Sequence, residues 1–189
     1  MWISVLRRPD CPDYAIHQYL WSYFPELQRE GARRQFIFRV LDNSILMLSR
    51  IKPLCDSVNI VERIKQNQIY QFDVLASPQC SSSYRDESGK RVTNKRRSIE
   101  GNSARREWLQ RRVLGAEIKF SQVFDQPVKR FKKPGGHQVV VTEALFRGTL
   151  YVLNVEEFVD SILNGIGGRG AWGCGLLVLP EIMADGLRS

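Results

Sequence analysis

The sequence predicts an α+β chain of two similar halves with antiparallel sheets, the first half in ferredoxin-like order. Three observations carry this. The first eighty of the 189 residues alternate strand-like and helix-like segments as β-α-β-β-α-β, the later segments can repeat that order, and a polar, basic connector separates them. The units expected are residues 1–80 and 81–189. A hydrophobic content of 43% is enough to bury a core over this length.

Residues 2–7 are apolar and β-prone and predict the first strand. Pro12 and Asp13 suit the first turn of a helix whose apolar positions are Ile16, Leu20, Tyr23 and Phe24, ended by Pro25. Residues 34–41 and 45–51 predict two strands joined by a turn at Asp42-Asn43-Ser44. A helix over 56–66 and a fourth strand over 69–76 complete the first half, in an order also used by RNA-recognition motifs. Residues 77–102, rich in Ser, Asn, Gly and basic residues, predict an exposed connector. A helix over 103–114, strands over 118–128 and 138–153 around a basic loop, a helix over 155–164 and a short strand over 173–179 make the second half.

The formal charge of +8 is concentrated. Residues 85–112 hold ten Lys and Arg against four acids, and residues 129–133 hold four against none, so the rest of the chain sums to −2. Runs with few acids, interrupted by aromatics and turn residues, point to nucleic acid. The helix over 103–114 lacks the broad apolar face of a membrane anchor, no run reaches the roughly 20 residues that span a bilayer, and no membrane partner is expected. Cys11, Cys55, Cys80 and Cys174 form no Cys-x-x-Cys pair and only two histidines could join them. Neither a metal site, nor a disulfide framework, nor any cofactor is expected, and a cytoplasmic location fits.

Tyr14, His17 and Trp21, spaced i, i+3, i+7, share a helix face beside the Ile16/Leu20 stripe. Such a strip lines a cleft, or holds a half-buried histidine bonded to a backbone carbonyl. His137, after Gly135-Gly136, reads as a surface loop residue. Residues 165–175 (GIGGRGAWGCG) contain six glycines, which let backbone approach a ligand and present N–H groups to phosphate. The loop lacks the Lys-Ser/Thr of a Walker loop and precedes a strand, so it is no nucleotide fingerprint. These groups suit metal-free phosphodiester chemistry.

Four motifs in order resemble one family: Ile16-His17-Gln-x-Leu20-Trp21-x-x-Phe24-Pro25, Arg34-x-Phe36-Ile-Phe38, Trp108-Leu-Gln-Arg-Arg112, and Gly165-Ile-Gly-x5-Gly173-Cys-Gly-Leu-Leu177. Together they are similar to the CRISPR repeat-processing endoribonucleases of type I-E systems, the CasE subunits of the Cascade complex, and they reach from the first helix to the last strand. The resemblance implies tandem ferredoxin-like, RNA-recognition-motif-like domains. It implies binding of a CRISPR repeat RNA hairpin, metal-independent cleavage of precursor RNA at the 3′ base of the stem, and retention of the mature crRNA beside other Cascade subunits. It implies that His17 is catalytic, assisted by Tyr14; the acid role, protonating the leaving 5′-oxygen while Tyr14 orients the 2′-OH or phosphate, is the favoured one, with the base role open. The family often has a basic residue five places after the first loop glycine; here that place is Gly170, with Arg169 one place earlier. RNA contacts are expected from Lys90, Arg91, Arg96, Arg97, Arg105, Arg106, Lys129, Arg130, Lys132 and Lys133, and from Gly165, Gly167, Arg169, Gly173 and Gly175. The alternatives are an RNA-hairpin scaffold without catalysis and a basic subunit that contacts only protein.

Overall fold

The computed structural model describes residues 1–27, 32–81, 83–93, 96–132 and 138–186; at 14, 83–84, 91–93, 131–132 and 184–186 it describes backbone alone. In chain order the elements are β1 (Trp2–Arg7), α1 (Asp13–Trp21), β2 (Phe36–Val40), β3 (Ser44–Ser49), β4 (Val58–Asn59), β5 (Ile69–Ala76), β6 (Gln79–Cys80), β7 (Ser83–Arg85), β8 (Arg91–Thr93) and β9 (Arg97–Ser98). Then come α2 (Asn102–Gln110), β10 (Ala116–Asp125), β11 (Lys129–Lys132), β12 (Gln138–Val141), β13 (Ala144–Val152), α3 (Val155–Asn164), β14 (Leu177–Val178) and α4 (Pro180–Gly186).

Two four-stranded antiparallel sheets carry the fold, in the orders β2-β3-β1-β4 and β10-β13-β5-β14. Numbering each sheet's strands by their place in the chain gives second, third, first, fourth in both cases, which is the ferredoxin-like order used twice. The repeat expected from the topology is present, but its seam differs. Residues 69–76 do not complete the first sheet: β5 pairs along its length with β13 (Ala76 opposite Ala144, Ile69 opposite Tyr151) and opens the second sheet. The fourth strand of the first sheet is the two-residue β4, beside Trp2 and Ile3. Sheet membership therefore changes between Asn59 and Ile69, ahead of the partition at residue 80.

The helix expected over 56–66 is also replaced. Asn59 Oδ1 accepts the Val61 N–H at 3.2 Å, and the Ile60 N–H donates to the Met1 carbonyl at 3.0 Å. An Asx turn followed by one turn of 3₁₀ helix over Val61–Arg63 takes the donors a helix needs. The β-branched run Val58–Val61, broken only by Asn59, gives helix little intrinsic support.

The first sheet is buried on both faces. Phe36, Phe38, Ile45 and Met47 pack with Ile16, Leu20 and Phe24 of the α1 segment. Their alternates Ile37, Leu46 and Leu48 point the other way, into a larger core with Phe72, Phe146, Leu150, Phe158 and Leu177. This is why β2 and β3 read as continuous apolar runs rather than alternating ones. The connector starts buried at Ser77 and Pro78, and its described residues beyond form two ribbons, β6 with β9 and β7 with β8. The basic segment at 129 begins a hairpin, β11 with β12. Helix α4, for which the sequence reading had no element, buries Ile182 and Met183.

Candidate active site and nucleic-acid interface

The glycine-rich segment wraps the free edge of the first sheet, strand β2. Gly165 caps α3 at φ 82° and lies on Ile37 on one face of that strand; a Cβ there would collide with the Ile37 Cδ1. Gly173, at φ 81°, lies on the other face, where a Cβ would be 3.5 Å from the Phe38 ring and from the Val40 nitrogen. Between them a short turn over Gly170–Trp172 packs on α1. A side chain at Gly165 would lift the loop from the edge, whereas at Gly173 there is room for a Cβ and the positive φ is what favours glycine.

The wrap gathers three groups distant in sequence. His17 is half-buried on α1, and its Nε2 accepts the Trp21 Nε1–H at 3.4 Å, not the carbonyl partner the alternative reading supposed. Arg34 enters β2 with its guanidinium carbon 5.7 Å from the Phe36 ring centroid. Its Nη2 occupies the space a Cβ at Gly170 would need. Burial, and after it the positive charge of Arg34, holds the His17 pKa below the ordinary imidazole value. A neutral histidine, a half-buried guanidinium and glycine N–H groups thus share one edge. Arg34 is the site residue that the search for candidates missed, although it opens one of the four motifs. The basic residue absent at Gly170 is matched in space by this guanidinium from the segment that leads into β2. Tyr14 lies one turn before His17, with its side chain outside the described residues.

The basic candidates divide. Lys90 and Arg97 are exposed on the two ribbons, Arg106 on α2 and Arg130 on β11. Arg96 is exposed beside Gly168, within a cleft that also contains Gly167. Arg105 is tied into the fold: its Nε donates to the Ile99 carbonyl at 2.9 Å and its Nη1 pairs with Asp125, leaving the side chain 13% exposed. Lys129 is 2.9 Å from Glu143, a carboxylate side chain 1% exposed that also accepts the Cys174 thiol at 3.3 Å. Breaking a pair that holds a buried carboxylate is costly, so Lys129 is anchored to the fold. Burial, then Glu143, pushes the Cys174 thiol far above its usual range. Arg169 has φ 69°, and its Nε is buried with no hydrogen-bond partner among the described residues. Gly167 and Gly175 have φ of 85° and 92°. The side chains of Arg91 and Lys132, and the whole of Lys133 and His137, lie outside the described residues.

Among the described residues, no three of His, Cys, Asp and Glu come together as a metal-holding group. Nor is any described helix long and apolar enough to cross a membrane.

Comparison with known proteins agrees with the sequence resemblance. The chain is 26% identical to the CRISPR system Cascade subunit CasE of Escherichia coli strain K12, covering 89% of this chain and 92% of that one. The crystal structure of the E. coli K-12 CRISPR-associated protein Cas6e superposes with a TM-score of 0.75 at 21% identity, over 95% of this chain and 98% of that one. Thermus thermophilus Cse3, bound to an RNA representing a pre-cleavage complex, gives 0.65 at 20% identity, over 94% and 97%. Both structural matches bear out the tandem ferredoxin-like fold. With a family model described as CRISPR associated protein matching residues 7–180, nearly the whole length including α1, Arg34 and the glycine loop, the chain belongs to the CRISPR-associated protein family.

Proposed function

We propose that this protein binds the hairpin of CRISPR repeat RNA and cuts precursor RNA at the 3′ base of the stem, without a metal ion. In this reading it works in the cytoplasm and stays with the mature crRNA as a subunit of Cascade. The observation that carries the reading is the convergence of His17, Arg34 and the glycine loop on one sheet edge in a chain of this family. The relatives add that E. coli CasE is a Cascade subunit and that Thermus Cse3 is bound to RNA.

The step assigned to the site is an in-line displacement. The ribose 2′-OH gives its proton to His17, the O2′–P bond forms, the P–O5′ bond breaks, and the departing 5′-oxygen takes a proton from water. A 2′,3′-cyclic phosphate remains. A proton acceptor must be unprotonated at working pH, and burial together with Arg34 favours that form of His17. This supports the acceptor role, whereas the sequence alone favours the donor role, protonation of the leaving 5′-oxygen, and leaves the reverse open. Arg34 and the loop N–H groups face the negative charge that grows on the phosphoryl oxygens. Tyr14 is assigned to orient the 2′-OH or the phosphate. Exposed Lys90, Arg97, Arg106 and Arg130 would hold backbone phosphates of an A-form stem, whose narrow major groove hides its base edges, and Arg96 would meet the RNA from its cleft.

The test is incubation of the native chain with a labelled repeat hairpin in EDTA. One cut at the 3′ base of the stem is expected, with a cyclic phosphate end, and a 2′-deoxy nucleotide at the cut should block it. Tight binding with no cut would favour the scaffold reading, and a cut that requires added magnesium would overturn the metal-free step.

A further inference from the structure

Next to the site, a cleft of 660 Å³ runs between the connector, the end of α2 and the glycine loop. That volume falls within the range of small-ligand pockets, which is about 300–1,000 Å³. Arg96, Arg111 and Arg112 line it, and none of the three pairs with a carboxylate among the described residues. Its wall contains two buried donors that have no partner among the described residues: the Ser77 hydroxyl, in a residue 1% exposed, and the Trp108 indole N–H, in a residue 4% exposed. Leaving a buried polar group unsatisfied is unfavourable, so two in one cleft wall mark a place where a ligand can supply what the protein does not. The indole cannot turn away. It is fixed against Phe146, with ring centroids 6.2 Å apart, and against Gly167, where a Cβ would be 2.6 Å from the ring. The floor continues into the active edge: Gly168 borders the cleft and Gly170 meets Arg34, two residues or about 7 Å of chain apart.

We propose that this cleft binds one unpaired ribonucleotide next to the cut, with its phosphate on Arg96, Arg111 and Arg112 and its ribose or base edge on Ser77 and Trp108. A concave pocket suits a splayed nucleotide, whereas stem phosphates lie on a convex surface and need an open groove. The proposal deepens the RNA-processing reading and rests on it. Seating a flanking nucleotide here would fix the strand in line with His17 and set where the stem ends relative to the cut.

The experiment measures binding of three uncleavable 2′-deoxy-blocked hairpins: a blunt stem, one with a single 5′ unpaired nucleotide and one with a single 3′ unpaired nucleotide. The native chain is compared with Ser77→Ala and with Arg111→Gln/Arg112→Gln. One overhang, 5′ or 3′, is expected to tighten native binding about tenfold, the scale of a hydrogen bond to a charged group. Both variants should lose that gain and bind the blunt stem as the native chain does. Ser77→Ala removes an unpartnered hydroxyl, so the fold should tolerate it. Equal tightening in native and variants, equal losses on all three RNAs, or no effect of either overhang would overturn the cleft assignment and leave hairpin processing standing. Failure of the native chain to bind any hairpin would overturn both.

Discussion

Replacing His17 by alanine is expected to slow single-turnover cleavage of a repeat hairpin by a factor of about 10² to 10⁴, the range for loss of a positioned proton-transfer group. Hairpin affinity should stay within about twofold, because phosphate contacts by exposed cations dominate such binding. The side chain is half-buried, and its one hydrogen bond among the described residues is the long one from Trp21. The α1 core contacts come instead from Ile16, Leu20 and Phe24, so the fold should survive the change. Far-UV circular dichroism on the variant checks this, and undiminished cleavage by a folded variant would remove His17 from the chemistry.

Arg34→Gln should have the second largest effect. Loss of one preorganised charge at a developing oxyanion lowers a rate by about 10² to 10³. The substitution also removes the positive charge that, after burial, depresses the His17 pKa. Removing a nearby cation favours the imidazolium, so the variant's His17 should remain protonated to higher pH than in the native chain. Its cleavage rate should therefore fall further at mildly acidic pH than at pH 8. Arg34→Lys keeps the charge but loses the planar contact with Phe36 and should fall between the two. If Arg34→Gln cleaves at the native rate, the guanidinium only supports the glycine loop.

What could be read from the sequence was what local chemistry dictates. Pro12 and the Ile16/Leu20 stripe fix the start and the buried face of α1 without help from the rest of the chain, although the helix ends at Trp21, before Pro25. Asp42-Asn43-Ser44 closes the hairpin with a Leu41 N–H to Ser44 carbonyl bond of 2.8 Å. The alternation over Ile69–Ala76 specifies a strand but says nothing of its neighbours; pairing with β13 joins residues some seventy positions apart, and loop closure over that length has no local signature. Residues 56–66 were misread because one side chain, Asn59, redirects the backbone there. Charge counting found the basic surface but could not tell Arg96, open in a cleft, from Arg105, bound to Asp125, or Lys129, bound to Glu143. Arg34 escaped for a related reason: it stands beside Arg33 in a basic pair, and only the passage of residues 165–175 around β2 brings it to His17. Glycine content signalled close approach, and the thing approached turned out to be both the sheet edge and that guanidinium.

The pH dependence of kcat/KM for the native chain reports directly on whether a neutral His17 is the proton acceptor. Neutral imidazole is the active form, and both burial and Arg34 lower its pKa. The rate should therefore be level at neutral pH and fall only below a midpoint lying under the ordinary histidine value of about 6.5. A rate that instead climbs as the pH is lowered from 8 through 6.5 would show that the protonated form is required, and would contradict the assignment.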